Sequence, residues 1–530
     1  MSDDYSAGLK EFERLSVKLK SLVDEDPAKA VAEAHALSSD TPVGGVLFTA
    51  LKAGILVDAG ACTGDKPAVT EGVHLFRRLL SHDPEQANLH YNLGNGLIAL
   101  ADEEPYAGFD WYLTTAETRQ EARTHFQRAV SLDDRREISS VALTNLGNAL
   151  WKAHRWAEAY DTYTRALQYD STNAVAATGA VKVLLRCVKH SIGDREVLLS
   201  VAARHLENAR QHPSRIAELA GRRAFDDLSK LLQSPLRGGR LPDLSHASDY
   251  EKFVASHRLA LSPTIEGLDL SLKRWDSLRI ESIAEPPGTD FGIPPLFAMF
   301  NLLKSDFLVA RHLAYQALST GIPDSGFYSD TLDYAVYGVV PSTLSLAQRA
   351  CVDVLDKIAV ATTEYFGILG SEKSVYFTKR WFASRKKGQP LAWHPSLREQ
   401  IDRGKNTAVI ALAELSLDVL EGGSLHEKKA YRHSSTHRFT ILHDLGCESS
   451  RNSPYVEHCT VDHFKSHLIE SLQLSRAALL HFVEMVAIGE AEKKARFGKA
   501  VPIDVPSHHW IRGEEESELG SAQLVDRPDS

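Results

Sequence analysis

Hydrophobic residues recur along most of the chain with the three- and four-residue spacing of amphipathic helices. Phe12, Leu15 and Leu19 show this spacing near the start, where polar side chains fill most of the intervening positions. Four longer segments with a 3.6-residue period follow in the second half, at residues 294–319, 343–368, 406–421 and 461–495. Their length and separate connections suit an antiparallel helical bundle. The pattern therefore predicts an all-α protein.

A repeat occupies part of the first half. Asn92-Leu93-Gly94-Asn95 recurs as Asn145-Leu146-Gly147-Asn148, and small and aromatic residues alternate at intervals of three and four. Both features are typical of the tetratricopeptide (TPR) pattern of paired antiparallel helices. The two copies lie further apart than one repeat, so we expect an insert around Asp102 to Arg119. Its aromatic residues indicate either a partner-contact loop or a surface insertion that buries its own side chains.

Breaker residues around 234–242 mark the end of this predicted array. The pattern predicts five parts: a helical N-terminal segment at 1–70, TPR-like helical repeats at 71–235, a linker and entry segment at 236–290, a C-terminal helical bundle at 291–500, and a disordered acidic tail at 501–530. The concave face of stacked repeats suits a protein or peptide ligand. The repeats would alternatively only buttress the bundle and hold two subunits together.

Composition narrows the class of protein. The chain has 530 residues, 43% of them hydrophobic and 25% charged, as in ordinary soluble proteins. We found no run of eighteen apolar residues, and the first residues do not resemble a signal peptide. Five irregularly spaced cysteines fit a reducing compartment. We therefore expect a cytoplasmic protein without a membrane partner. The net charge of -10 argues against broad coating of nucleic acid, so an RNA site would be a local basic pocket.

The stretch from Tyr431 to Asp444 carries the strongest candidate chemistry, because it holds two arginines and three histidines. Arg432 is a permanent cation whose planar fork can grip a phosphate, and His437 can carry a proton near neutral pH. Metal-free RNA cleavage needs a base, an acid and a cation that stabilises the phosphorane. On an ideal helix the two side chains lie about 140° apart. A shared site therefore needs a helix end, a bend or a second subunit.

Arg432-x4-His437, with the polar His433 directly after the arginine, resembles the R-x4-6-H motif of the HEPN superfamily. The surrounding Thr436 to Asp444 and Leu415 to Leu420 resemble its TPR-linked bacterial branch, and the resemblance runs from about 250 to 494. The family usually has Asn where this chain has His433.

The resemblance implies a helical bundle and a metal-independent endoribonuclease that needs no cofactor. Arg432 would hold the scissile phosphate of an RNA substrate, His437 would act as base or acid, and His433 would assist. HEPN ribonucleases generally work as dimers whose two motifs face each other, so we expect a homodimer. Many serve as toxins or phage-defence effectors, which suggests that the repeats control the activity here.

A second basic region lies between Gly370 and Lys405. It combines Tyr376, Trp381 and Phe382 with a cationic cluster, the pairing that single-stranded nucleic acid prefers. The candidate RNA-binding residues are Lys379, Arg380, Arg385, Lys386 and Lys387, together with Arg438 beside the motif. The alternative is that the aromatic residues pack against the bundle and the cations are simply solvated.

Three other interpretations stay open. Some HEPN domains only bind nucleotides or dimerise, so the chain would be a non-catalytic scaffold. Arg432 and His437 would then merely bond to backbone carbonyls or to Asp444 at a helix end. A metal site would draw on a histidine and cysteine set, namely His433, His437, His443, Cys447, His458, Cys459, His463 and His467. Since neither paired C-x2-C cysteines nor a His-Glu-x-x-His motif is present, we predict no metal.

Overall fold

The computed structural model describes residues 3–37, 45–106, 108–237, 247–268, 274–285, 292–368, 375–383, 389–420, 439–446 and 453–498. The predicted acidic tail at 501–530 lies outside these ranges. The α-helices of the first half are α1 (Asp3–Glu25), α2 (Pro27–Ala36), α3 (Gly45–Thr63), α4 (Lys66–His82), α5 (Ala87–Asp102), α6 (Trp111–Thr114), α7 (Ala116–Ser131), α8 (Ser139–Lys152), α9 (Trp156–Tyr169), α10 (Ala174–Lys189), α11 (Arg195–Gln211) and α12 (Pro213–Leu232).

The second half is also helical, with a small sheet. Its helices are α13 (Asp249–Ser256), α14 (Pro295–Tyr315), α15 (Val339–Tyr365), α16 (Pro395–Gly404), α17 (Thr407–Val419) and α18 (Val461–Phe497), and its strands are β1 (Ala335–Val336), β2 (Phe439–His443) and β3 (Val456–Thr460). The predicted all-α class is confirmed. α16 was not predicted as a separate element, nor was any strand.

Successive helices of the first half pack as a stacked array of pairs: α3 with α4, α5 with α7, α8 with α9, and α10 with α11. The helix starts are set locally. Asp65, Asn173 and Asp194 each accept a hydrogen bond from a backbone N–H in the first turn of α4, α10 and α11. α3, which precedes residue 71, packs against α4 in the same way. The start of the repeats at residue 71 stays a prediction.

The glycines of the repeated Asn-Leu-Gly-Asn motif explain how the paired helices approach each other. A Cβ atom added at Gly94 would lie 2.7 Å from Cε1 of Phe126, and one added at Gly147 would lie 2.6 Å from Cε1 of Tyr163. Both aromatic rings are buried and belong to the second helix of the pair. The hydrogen atom of each glycine therefore leaves space for the aromatic ring, and the methyl group of an alanine would occupy that space. The geometry is what the TPR pattern predicts, although assignment to that class stays a prediction.

The predicted insert lies between α5 and α7 and contains α6. Trp111 and Tyr112 are buried, whereas Tyr106 is exposed. The Tyr112 hydroxyl bonds to Nε2 of His154 at 2.9 Å, which fixes the insert on the turn between α8 and α9. The insert also contacts the second half, because Nε1 of Trp393 donates to the Phe109 carbonyl at 3.2 Å. It thus buries most of its own aromatics and joins the two halves.

The four predicted segments of the bundle correspond to α14, α15, α17 and α18. α18 is the central helix: it packs against the other three, and its apolar side chains Leu472, Leu479 and Met485 are fully buried. Thr460 caps its first turn by accepting from the His463 N–H at 3.3 Å. The apolar core continues from the repeats into this bundle. The domain boundary near residue 235 stays a prediction.

Among the residues that the structure describes, two helices, α3 and α18, are long and apolar enough by composition to cross a bilayer. In α18 83% of the apolar window is buried inside the protein, and in α3 50% is buried. Core helices of folded domains commonly have this composition, because they are apolar on several faces. The expectation of a protein without a membrane partner stays a prediction.

Candidate functional site

The segment that carries the predicted catalytic residues connects α17 to β2. Arg432, His433, His437 and Arg438 all fall in residues 421–438, outside the described part of the chain. The structure describes the elements on both sides of this segment. The two flanking elements are α17 before the segment and the sheet that contains β2 after it.

The first flank, α17, is fixed by buried charges. Glu414 and Asp418 are 2% exposed and, being four residues apart, lie on one face of the helix. Nη2 of Arg119 lies 2.5 Å from Oε1 of Glu414, and Nη2 of Arg123 lies 2.7 Å from Oδ1 of Asp418. Both arginines come from α7 of the repeat array. The helix that leads into the motif is thus held directly by the repeats.

Asp418 forms a further ion pair with Arg155, the residue directly before α9. Burial raises the pKa of the Asp418 carboxyl, but the charges of Arg123 and Arg155 outweigh burial and bring that pKa down to about 2. Asp418 is therefore ionised at neutral pH, although it is almost wholly removed from water. A buried carboxylate of this kind depends on its partners, because without them its charge would be strongly unfavourable.

The second flank is the three-stranded sheet with the order β1-β2-β3. β2 starts at Phe439, directly after the motif segment, and runs parallel to β3 with Phe439 opposite Val456. β1 pairs antiparallel with β2, so that Ala335 lies opposite His443. Because β3 leads straight into α18, the sheet ties the end of the motif segment to the central helix of the bundle.

Two histidines of this sheet form a hydrogen-bonded chain. Nδ1 of His443 lies 2.8 Å from the Asp333 carbonyl oxygen, and Nε2 of His443 lies 2.9 Å from Nδ1 of His458. A carbonyl only accepts, so the hydrogen bonds assign the proton of neutral His443 to Nδ1 and that of His458 to its own Nδ1. Nε2 of His458 is then an unprotonated nitrogen, buried and without a hydrogen-bond partner. This nitrogen can accept a proton.

The histidine and cysteine set proposed for a metal separates into pairs. His443 contacts His458, while Nε2 of His463 lies 2.9 Å from Nε2 of His467 at the start of α18. Within the described ranges, no group of three or more His, Cys, Asp or Glu side chains is arranged to hold a metal ion. His433, His437 and Cys447 lie outside those ranges. The predicted spacing of His463 and His467 on one helical face is correct, and among the described residues this pair is not part of a group of three or more metal-ligand side chains.

The second basic region is only partly described. Lys379 is exposed and its ammonium lies 5.8 Å from the centre of the Tyr376 ring, whereas Arg380 is half-buried. Trp381 and Phe382 are buried and pack against Phe377 and Trp393 respectively. Of the three proposed stacking residues, only Tyr376 is therefore available at the surface. Arg385, Lys386 and Lys387 lie outside the described residues.

A narrow cavity lies between α15, α18 and the end of α17. Gln348, Ser471 and Val419 line it, and its volume is about 30 Å³. That space holds about one water molecule. The cavity is therefore too small for a nucleotide, and the bundle interior does not supply a substrate pocket there.

Sequence reasoning found the motif but not its setting. It placed His443 and His458 in a metal set and did not predict that they form a hydrogen-bonded pair. The pair depends on the parallel pairing of β2 with β3, which has no signal in the sequence. Glu414 and Asp418 were equally missed as anchors of the motif. Their four-residue spacing on an otherwise apolar helix was the available signal, since carboxylates on such a face need buried partners.

Comparison with known proteins agrees with the helical fold of the C-terminal region. Residues 288–489 match the family model described as LA2681-like HEPN. No curated protein matched the chain. The matched residues include the described bundle helices α14, α15 and α17 and most of α18, and they enclose the Arg432-x4-His437 motif. The C-terminal region at 288–489 is therefore a HEPN domain.

Proposed function

We propose that the protein is a metal-independent endoribonuclease of HEPN type. The observation that carries the proposal is the position of Arg432-x4-His437 inside the residues that match the HEPN family. Arg432 stabilises the negative charge of the phosphorane, and His437 transfers a proton to or from the ribose or the leaving oxygen. His433 assists beside Arg432. RNA cleavage of this kind uses the internal 2'-hydroxyl as nucleophile and needs neither metal nor cofactor.

The His443–His458 pair supports a second proton-transfer group beside the motif. Acid and base roles in one turnover need two groups, because one gives a proton while the other takes one. Nε2 of His458 has a free lone pair, and β3 lies next to the strand that directly follows the motif. His443 orients His458 by accepting from its Nδ1–H. The proposed reaction therefore has a candidate partner for His437 within the same chain.

A homodimer is the second part of the proposal. Five apolar side chains near the strands are each more than half exposed, and we call them the sheet-edge patch: Leu332, Tyr334, Phe439, Leu445 and Tyr455. Hydrogen bonds of 2.9 Å and 3.0 Å link the backbone of Phe439 to Tyr455 and that of Asp444 to Tyr334. Exposed apolar groups at this density are typical of interaction sites.

A second copy is the occupant that fits this patch best. Phe439 directly follows the motif segment, so a twin chain seated on it would bring two copies of Arg432 and His437 towards one cleft. Substituting Phe439→Glu should shift the protein to a monomer in sedimentation and abolish cleavage. Val309→Glu is the matched control, because Val309 is also exposed but lies on α14. A dimer that survives Phe439→Glu would refute this arrangement.

The direct test is incubation of the purified protein with total RNA, with and without chelator. Cleavage that persists in chelator supports the proposal, and Arg432→Ala and His437→Ala should each abolish it at unchanged dimer mass. Arg135→Ala and His74→Ala are controls for loss of the same residue types at exposed positions of the repeats. Retained cleavage in both motif variants would exclude these residues as the catalytic pair.

The alternative is a non-catalytic scaffold, and one observation favours it. The buried ion pairs of Arg119, Arg123 and Arg155 hold the repeats and the bundle as one unit. Such an adaptor would bind a protein, peptide or nucleotide and would leave RNA intact.

The cellular role that fits the nuclease is a toxin or phage-defence effector acting in the cytoplasm. In this proposal the repeats bind a protein or peptide and thereby control the nuclease through α17. Expression of the wild-type chain should arrest growth and fragment RNA, and the Arg432→Ala chain should do neither. Growth arrest by both chains would assign the toxicity to something other than RNA cleavage.

A further inference from the structure

We propose that Arg380, together with Trp381 and His394, forms an anion-binding site for a phosphate group of single-stranded RNA, separate from the Arg432 motif. The proposed function enters only in naming RNA as the ligand. The site itself rests on the geometry of the segment between α15 and α16.

The backbone around Arg380 is held in place by a short antiparallel clip. Phe382 pairs with Trp393, the Ala383 N–H donates to the Ala392 carbonyl at 2.9 Å, and the His394 N–H donates to the Trp381 carbonyl at 3.0 Å. Trp381 is fully buried and Trp393 nearly so, which fastens the clip to the core. Arg380 and His394 are thus presented from a rigid base.

The guanidinium of Arg380 lacks the partner that buried arginines have elsewhere in this protein. Within the described ranges, six arginines are less than 9% exposed, and each pairs with a carboxylate: Arg119, Arg123, Arg155, Arg258, Arg311 and Arg476. Three of them, Arg119, Arg123 and Arg258, leave one buried nitrogen unpaired but keep their carboxylate partner. Nε and Nη2 of Arg380 are buried, yet neither donates to any acceptor. These two N–H groups form one edge of the guanidinium, the edge that binds two oxygens of a phosphate or carboxylate side by side.

The neighbouring groups repeat this pattern. Nε1 of Trp381 and Nδ1 of His394 are also buried without a hydrogen-bond partner. Burial, and after it the positive charge of Arg380, lower the pKa of His394, so His394 lies within reach of the guanidinium's field and is neutral at pH 7. Four unpaired polar atoms on three neighbouring residues are unfavourable in a closed core. A ligand that is rich in acceptor oxygens would satisfy them.

The ligand is assigned as an anion because the guanidinium of Arg380 and Nε1 of Trp381 can only donate, and Nδ1 of His394 also donates in one of its two neutral tautomers. Burial also lowers the pKa of Arg380, but the guanidinium stays charged because its ordinary pKa lies far above neutral pH. Exposed Lys379 and Tyr376 stand beside Arg380 and add a cation and an aromatic face. This combination favours the backbone and bases of a single strand. Arg380 is half-buried and stands beside exposed Lys379, so part of its side chain reaches the surface.

The test measures RNA binding without cleavage. The full-length Arg432→Ala/His437→Ala chain is titrated with a labelled single-stranded RNA of mixed sequence, and fluorescence anisotropy is followed at several salt concentrations. Adding Arg380→Gln should weaken binding about tenfold and reduce the salt slope by roughly one phosphate contact. Lys189→Gln removes one positive charge from an exposed position on α10, outside the proposed site, and should weaken binding less than about twofold. Equal effects of the two substitutions would overturn the site.

A second measurement guards against misfolding of Arg380→Gln. Inorganic phosphate, compared with chloride at equal ionic strength, should raise the Tm of the parent chain, and Arg380→Lys should lose most of that shift because an ammonium has no bidentate edge. If phosphate raises the Tm but RNA binding is unchanged in the Arg380 variants, the ligand of the site is a phosphate-bearing molecule other than RNA. That result would overturn the assignment. If RNA binding depends on Arg380 but the wild-type protein does not cut RNA, the proposed nuclease function is refuted and the binding site stands.

Discussion

Arg123 on α7 and Asp418 near the end of α17 form an ion pair with 2.7 Å between Nη2 and Oδ1, and both side chains are 3% exposed. The pair joins the repeat array to the helix that leads into the candidate catalytic segment. Charges in such surroundings cost much desolvation energy and are retained only when each has a partner. The repeats and the motif are therefore mechanically connected through two residues almost 300 positions apart in sequence.

Removing one member of this pair should destabilise the whole protein. Asp418→Ala leaves Arg155 and Arg123 in a buried site without the carboxylate they share, and we expect the free energy of unfolding to fall by about 3–5 kcal/mol. Denaturant unfolding measures the change. Asp306→Ala breaks the more exposed pair with Lys357 and is the control, expected at about 0–1 kcal/mol. Similar losses for both variants would mean that the buried pair has no special role.

Acid should lower the free energy of unfolding already at pH values well above those at which carboxylates titrate. Burial, followed by the charges of Arg186 and Arg119, lowers the pKa of His154 from 6.5 to about 3. Between pH 6.5 and about 3, His154 is therefore protonated in the unfolded chain but neutral in the folded chain. Its contribution to the free energy of unfolding is fully present above pH 6.5 and is lost as the pH falls towards 3. At pH 5 the loss is about 2 kcal/mol.

His154→Asn should remove this part of the pH dependence. Asn does not titrate and tolerates the left-handed backbone at this position, where φ is 61°. Urea unfolding at pH 7 and pH 5 should therefore show a smaller difference for the variant than for the wild type. An unchanged difference would show that His154 is not kept neutral by its surroundings.

The sequence predicted the array, the bundle and the motif because all three depend on local patterns. Helical periodicity identified α14, α15, α17 and α18 to within a few residues, and the repeated Asn-Leu-Gly-Asn motif located α5 and α8. The sheet could not be predicted, since its parallel pairing joins residues 439–443 to 456–460 without an alternating pattern. The contact of α17 with α7 is likewise a product of tertiary packing.

The close approach at Gly94 gives a sensitive test of the repeat geometry. Gly94→Ala should lower the free energy of unfolding by about 1–3 kcal/mol, because its Cβ would meet the Phe126 ring at 2.7 Å. Gly54→Ala, also within a helix, is the matched control, and its change in the free energy of unfolding should have the opposite sign. No atom lies within 4 Å of a Cβ at Gly54, so the better helix propensity of Ala should stabilise by roughly 0.5–1 kcal/mol. Two changes of the same sign would contradict the packing described for α5 and α7.

The His443–His458 pair makes the sharpest prediction for catalysis. If Nε2 of His458 exchanges a proton during cleavage, His458→Gln should reduce the cleavage rate by about 10²–10⁴-fold and remove one limb of the pH–rate profile. His443→Gln keeps a side chain that can accept the Nδ1–H bond of His458, so its loss should be smaller and both limbs should remain. His463→Gln is the control, because that histidine bonds to His467 at the start of α18 instead. A pH–rate profile that keeps its shape in His458→Gln, whatever the rate, would leave His458 with an orienting role and require a different partner for His437.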